Sequence, residues 1–279
     1  MKLMSIALGL GLIGASSAFA APIYVGEQVT PENNISLGFQ DTPIKEQAGV
    51  RTDTGNIAAI EVKADYSPVE HVSLGASLPF YMASKNVSGT SRNSMGNFGL
   101  TGGWNMVLSQ SSDDFQWGYS AALDAYLPTS RKAEGAFVAN ANPTTDLFAY
   151  SQKATTIHPR VGLFIDGDRF YGKTNVGYGF TYLSSPAGSN DKNRNTITWQ
   201  TAATYKAMEN LNANLEYNTM ILDSETAGSG NGKYKHALTP SLSGDYNRIL
   251  GQAFVNIPLD SETRDVQNVA IGASVGYQF

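Results

Sequence analysis

The last eleven residues read Val269-Ala270-Ile271-Gly272-Ala273-Ser274-Val275-Gly276-Tyr277-Gln278-Phe279. Large apolar side chains alternate with small or polar ones at every step. That is the period of a β-strand, whose successive side chains point to opposite faces of the pleat. One face is aliphatic and ends in two aromatics; the other carries Ala, Gly, Ser, Gly and Gln. Strands of globular proteins mostly run to about five or six residues. A strand crossing a bilayer obliquely needs about 9–11, and this run has that length.

The pattern recurs upstream. Ile60, Val62, Ala64 and Tyr66 alternate with Glu61, Lys63 and Asp65, and Val72 to Phe80 alternates on Leu74, Ala76 and Leu78. Phe98 to Met106, Phe115 to Leu127, Val176 to Tyr182, Ile197 to Tyr205 and Leu211 to Tyr217 do the same. Weaker cases lie at 33–41, 156–166, 233–244 and 247–259, giving twelve expected strands. No segment keeps apolar residues at helical spacing for long. The connections sort themselves as well. Short turns at Ser67–Glu70, Gln110–Asp113, Gly167-Asp168, Ala207–Asn210 and Asp245-Tyr246 alternate with longer polar stretches at 42–54, 83–94, 129–155, 184–193 and 223–232, with a shorter last one at 260–265. An up-and-down meander through a membrane produces this, with turns on one side and loops on the other.

Bulk composition alone describes an ordinary soluble chain: 279 residues, 42% hydrophobic, 15% charged, 28 Gly and a mean hydropathy of −0.21. Outside the first twenty positions there is no apolar run long enough for a transmembrane helix. A period-two membrane strand gives the same averages, because lumen residues cancel lipid-facing ones. Aromatics near strand ends (Tyr66, Phe80, Phe98, Phe115, Trp117, Phe170, Tyr182, Tyr205, Tyr217, Tyr277, Phe279) fit interfacial girdles. Strand charges fall on the face opposite the aromatics. Together these favour a single all-β domain over 21–279, a transmembrane antiparallel up-and-down β-barrel, over a soluble sandwich. Residues 1–20 read as an export signal: Lys2, an apolar core over Met4–Ile13, and the small-x-small step Ala18-Phe19-Ala20.

An export signal, alternating strands and the terminal Gly276-Tyr277-Gln278-Phe279 resemble Gram-negative outer-membrane proteins. The resemblance implies a bacterial outer-membrane location, contact with outer-membrane lipid, and Tyr277 and Phe279 as the signal to the barrel-assembly machinery. Leu78-Pro79-Phe80, Gly96-Asn97-Phe98-Gly99-Leu100 and Leu127-Pro128-Thr129 resemble the outer-membrane family associated with the meta pathway of phenol degradation, whose members are regarded as channels for small organic compounds. That family carries Asp where this chain has Asn97, and Gly where it has Ser130.

The chain has no Cys, which excludes disulfides, thiolate metal sites and a thiol nucleophile. A net charge of −5 with no basic cluster argues against a nucleic-acid partner. There is no His pair at metal spacing, and no cofactor is expected. On the expected inward face lie Glu61, Lys63, Asp65, Asp124, Arg160, Lys173 and Glu216. They either line a solute pore, with Arg160 and Lys173 roughly across from the acidic strand, or pair with one another and fill the lumen. The 129–155 connection, with Arg131, Lys132, Glu134, Asp146 and Lys153 and the apolar Phe137, Val138, Leu147 and Phe148, either folds inward as a constriction or stands outside. The reading is a passive channel for small solutes, with no catalytic residues. Its rivals are a closed structural or adhesive barrel and an outer-membrane hydrolase built on His158, while His71 and His236 read as solvated or interfacial.

Overall fold

The computed structural model describes residues 33–43, 56–83, 92–112, 115–130, 147–150, 153–184, 193–222, 234–261, 264 and 268–279. The export segment 1–20 and Arg131, Lys132, Glu134, Phe137, Val138 and Asp146 lie outside them. Among the described residues thirteen strands form: β1 (Asn34–Pro43), β2 (Asn56–Val69), β3 (Val72–Ala83), β4 (Arg92–Met95), β5 (Phe98–Ser112), β6 (Phe115–Leu127), β7 (Ala154–Gly167), β8 (Phe170–Leu183), β9 (Asn193–Met208), β10 (Leu211–Leu222), β11 (Tyr234–Tyr246), β12 (Ile249–Pro258) and β13 (Ala270–Gln278). One helical turn, α1 (Leu147–Tyr150), interrupts the long connection between β6 and β7.

Every pairing among the described residues is antiparallel; apart from β3 with β5, strands pair with their chain neighbours, and β1 closes the ring on β13. The twelve expected strands are the twelve staves of this barrel. The thirteenth segment, β4, is not a separate stave. It pairs with the loop-side end of β3 (Phe80 opposite Met95), while β5 pairs with the rest of β3 (Ser77 opposite Gly99). β4 and β5 are therefore one strand broken at Gly96-Asn97. Asp113 of the expected Gln110–Asp113 turn lies outside the described residues; within them the tight turns fall at Glu70-His71, Asp168-Arg169, Glu209-Asn210 and Asn247-Arg248. The last sits two residues beyond the expected Asp245-Tyr246, because β11 keeps pairing to Tyr246. Asn247 and Arg248 both have positive φ (49° and 69°), the backbone of a two-residue hairpin turn whose twist matches its strands.

Following paired residues once around the ring displaces the start by about 14 residues. For twelve strands at ordinary spacings this gives a tilt of about 40° and a backbone radius of about 12 Å. Such a ring is too wide to be filled by wall side chains as an eight-stranded barrel is, and narrower than an open porin.

Burial inverts the soluble pattern. Ile35, Leu37 and Phe39 on β1, Val161, Leu163 and Ile165 on β7, and Ile271, Val275 and Tyr277 on β13 are all exposed. Their polar neighbours Ser36, Gln40, Arg160 and Asn175 are buried. Exposed aromatics ring both rims: Tyr66, Phe115, Phe170, Tyr205, Tyr246 and Tyr277 on the turn side, Phe80, Tyr182 and Tyr234 on the loop side. The outer face is therefore a lipid face between two aromatic girdles. Val161, mid-strand and 65% exposed, tests this directly. Val161→Arg is expected to destabilise the folded barrel by about 2–4 kcal/mol in lipid vesicles. Gln116→Arg, on the half-buried inner face, is expected to stay within about 1 kcal/mol. Equilibrium denaturant unfolding checks both.

Candidate functional site in the barrel lumen

The inner wall carries all seven of the charges singled out in the sequence. Asp124, Arg160, Lys173 and Glu216 are buried, whereas Glu61, Lys63 and Asp65 on β2 are half-buried. On the loop side the wall is covered: Ile57, Ala59, Tyr81, Thr156 and Asn256 are buried. On the turn side it is half open, at Lys63, Asp65, Ser73, Gln116, Tyr171, Asn212 and Asn214. Lys63 Nζ lies 3.2 Å from Asp65 Oδ1, so two of the three charges of β2 neutralise each other along one strand.

A second cluster sits deeper. Asp124 on β6 is fully buried, and Arg160 on β7 grips it with two hydrogen bonds, Nε to Oδ2 at 2.7 Å and Nη2 to Oδ1 at 3.0 Å. Thr101 on β5 donates to Oδ1 at 2.9 Å. His158 Nδ1 lies 3.1 Å from Oδ2, and its Nε2 lies 2.8 Å from Thr198 Oγ1 on β9. With Nδ1 protonated, the ring donates to Asp124 and accepts from Thr198. His158 reaches β9 by passing over β8 at Gly177, where an added Cβ would clash with Nε2. Glycine is required there by close approach, not by φ.

The Asp124–His158–Thr198 chain has the connectivity of a hydrolase triad, the contact that the sequence could not show. Its surroundings oppose that chemistry. Both Asp124 oxygens are already held by Arg160, and none of the three side chains is exposed. What the cluster does is tie β5, β6, β7 and β9 together across the inner wall.

The third feature is a strap. At the break between β4 and β5, Gly96 N–H donates to Pro79 O at 2.8 Å, but Asn97 N–H leaves the sheet and donates to Ala149 O of α1. Asn97 Nδ2 donates to Phe148 O at 2.8 Å, and its Oδ1 accepts from Ser130 N–H at 3.2 Å. Thr129 Oγ1 donates to Gly96 O at 2.6 Å and accepts from Phe98 N–H at 2.8 Å. Ser130 Oγ in turn accepts from Lys153 N–H at 2.9 Å. The Phe148 ring enters the lumen. It packs on Tyr126 and His158 at centroid distances of 5.8 and 4.9 Å, and lies over Gly179, whose added Cβ would meet the ring at 2.6 Å. The described part of the 129–155 connection thus folds inward. Pro79, Gly96-Asn97 and Thr129-Ser130, noticed in the sequence only as fragments, meet at one node that holds it.

The other named residues are elsewhere. His71 is a turn residue with φ 68°. His236 lies on the outer face of β11, where its Nδ1 is 3.0 Å from Tyr217 Oη. Tyr277 and Phe279 point outward at the turn side, where Phe279 N–H donates to Asn33 O at 3.1 Å. Among the described residues, no group of three His, Asp or Glu side chains could hold a metal ion. Thr198, Gly177 and the role of Asn97 were missed, since each depends on a partner on another strand.

No family model and no curated protein matches the sequence. Solved structures do share the fold. An outer-membrane channel from Pseudomonas putida F1 superposes with a TM-score of 0.61 at 12% identity, over 91% of this chain and 97% of that one. The NanC porin superposes with a TM-score of 0.58 at 9% identity, over 88% of this chain and all of the porin.

Removing Asp124 takes from the buried Arg160 the carboxylate that it grips with two hydrogen bonds. Asp124→Ala is expected to destabilise the barrel by about 3–5 kcal/mol, and pairing it with Arg160→Met to recover most of that loss. A double-mutant cycle in denaturant checks it, and additive losses would mean that the two side chains are not coupled.

Proposed function

We propose that the protein is a passive channel for small solutes in a bacterial outer membrane, narrowed on its loop side by the strap. The observation that carries this reading is the closed twelve-stave ring with a lipid-facing outer surface, a polar inner wall and an open turn-side half. Its fold likeness to a solved outer-membrane channel along nearly the whole length of both chains supports the reading. Export by residues 1–20 and recognition of Tyr277 and Phe279 by the assembly machinery belong to the same proposal. So does the lumen-lining role of Glu61, Lys63, Asp65, Asp124, Arg160, Lys173 and Glu216. No catalytic role is assigned to any residue.

Phe148 and Asn97 are the residues on which passage depends. The ring of Phe148 occupies the lumen where His158 bridges β7 to β9, and two hydrogen bonds from Asn97 keep it there. A second reading, a closed barrel whose loops are the active part, draws on the buried loop-side half of the wall. Planar-bilayer recording separates the two. The channel reading expects discrete steps from the folded protein and a severalfold larger unit conductance from Phe148→Ala. Asn97→Ala is expected to give flickering between the two levels. Silence from the wild type and from both variants would leave the closed barrel as the account.

A further inference from the structure

Just turn-side of the strap, β8 to β11 bring two stacked rows of polar side chains together on the inner wall. Pairing registers place Asn175, Gln200 and Asn218 side by side in one row. Lys173, Ala202, Glu216 and Thr239 form the next. Asn175, Asn218, Glu216 and Thr239 are each more than nine-tenths buried. Unlike the Asp124 cluster, they retain unused hydrogen-bonding atoms: Nδ2 of Asn175, both amide atoms of Asn218, Oε2 of Glu216 and Oγ1 of Thr239. Native interiors pair the great majority of such groups, so several in one patch call for a specific explanation. The row below, Tyr171, Thr204 and Asn214, is half-buried and joins the patch to the open half of the lumen.

We infer that this wall is a binding site for an uncharged, polyhydroxylated solute of sugar or polyol size. The inference rests on the channel reading for the route by which a solute arrives. The chemistry follows from the mixture of unused atoms. Asn218 Oδ1 only accepts, the Nδ2 groups of Asn175 and Asn218 only donate, and Thr239 Oγ1 and the Glu216 carboxyl do either, the latter when it carries its proton. An ammonium donates only, so the amide N–H groups would stay unpaired against it. A carboxylate accepts only and would leave Asn218 Oδ1 unpaired. A hydroxyl does both, and a chain of hydroxyls can serve donors and acceptors spaced along neighbouring strands. Ala202, between Lys173 and Glu216, has nothing beyond its Cβ to fill the row.

Saturation-transfer NMR on the detergent-folded barrel tests this, with arabinose as probe, putrescine and succinate as comparators, and heat-modifiable gel mobility as the folding control. Arabinose is expected to bind in preference to both comparators. Thr239→Val, which keeps the shape and removes the hydroxyl, is expected to weaken it about threefold. Glu216→Ala with Asn218→Ala is expected to weaken it about tenfold or more. No transfer to arabinose from the wild type would overturn the inference. So would unchanged affinity in the folded variants, or tighter binding of putrescine or succinate. Current in bilayers is a separate outcome: a conducting barrel that ignores arabinose removes the site alone, and a silent barrel that binds it removes only the channel.

Discussion

Lipid offers no partner to a backbone N–H or C=O, so each one within the membrane must be bonded inside the protein. The rest of this structure depends on that constraint. It requires the sheet to close, which the pairing of β1 with β13 accomplishes, and it permits an interruption only where the freed groups find another partner. The ring has such an interruption at Gly96-Asn97. There the Asn97 N–H goes to Ala149 of the strap and its side chain to Phe148 and Ser130, so the ladder opens where the loop segment enters. One residue both mends the break in the sheet and fixes what lies in the lumen.

The polar interior follows from the same closure. With period-two strands the residues that do not face lipid must face inward, and a radius of about 12 Å is more than wall side chains can fill. The protein meets this unevenly. On the wall made by β5, β6, β7 and β9, charges and hydroxyls satisfy one another around Asp124, and glycines 177 and 179 make room for His158 and Phe148. The wall made by β8 to β11 keeps donors and acceptors without partners. Toward the turns the lumen is half open. The result is a graded interior, covered near the loops and half open near the turns, in which Lys63 pairs with Asp65 and Asp124 with Arg160.

Much of this was legible in the sequence, for a physical reason. Alternation is a local property, so the twelve staves, their inward faces and the sorting of turns from loops can be read without knowing any partner. β4 could not: Arg92-Asn93-Ser94-Met95 has no apolar alternation, and it is a strand because β3 runs on far enough to template it. α1 has four residues, too few to show a helical period, although Phe148 stood out as apolar in a polar stretch. The faces of His158, Asp124 and Arg160 were readable, but their contacts were not. Alternation fixes a residue's face, whereas register decides which residue on the next strand it meets. Gly177 shows the limit most clearly, since its necessity comes from a side chain on β7 reaching another on β9.

In a membrane barrel the two faces of one strand meet lipid and lumen in strict alternation. The chain has no cysteine, so nitroxides placed one at a time from Ile271 to Tyr277 report without background. In reconstituted vesicles, collision rates with oxygen and with a water-soluble nickel chelate should oscillate with a period of two. Oxygen should dominate at Ile271, Ala273, Val275 and Tyr277, and the chelate should gain at Gly272, Ser274 and Gly276. A flat profile, or low oxygen access at the four apolar positions, would mean that this face is packed against protein, and the membrane barrel would have to be abandoned.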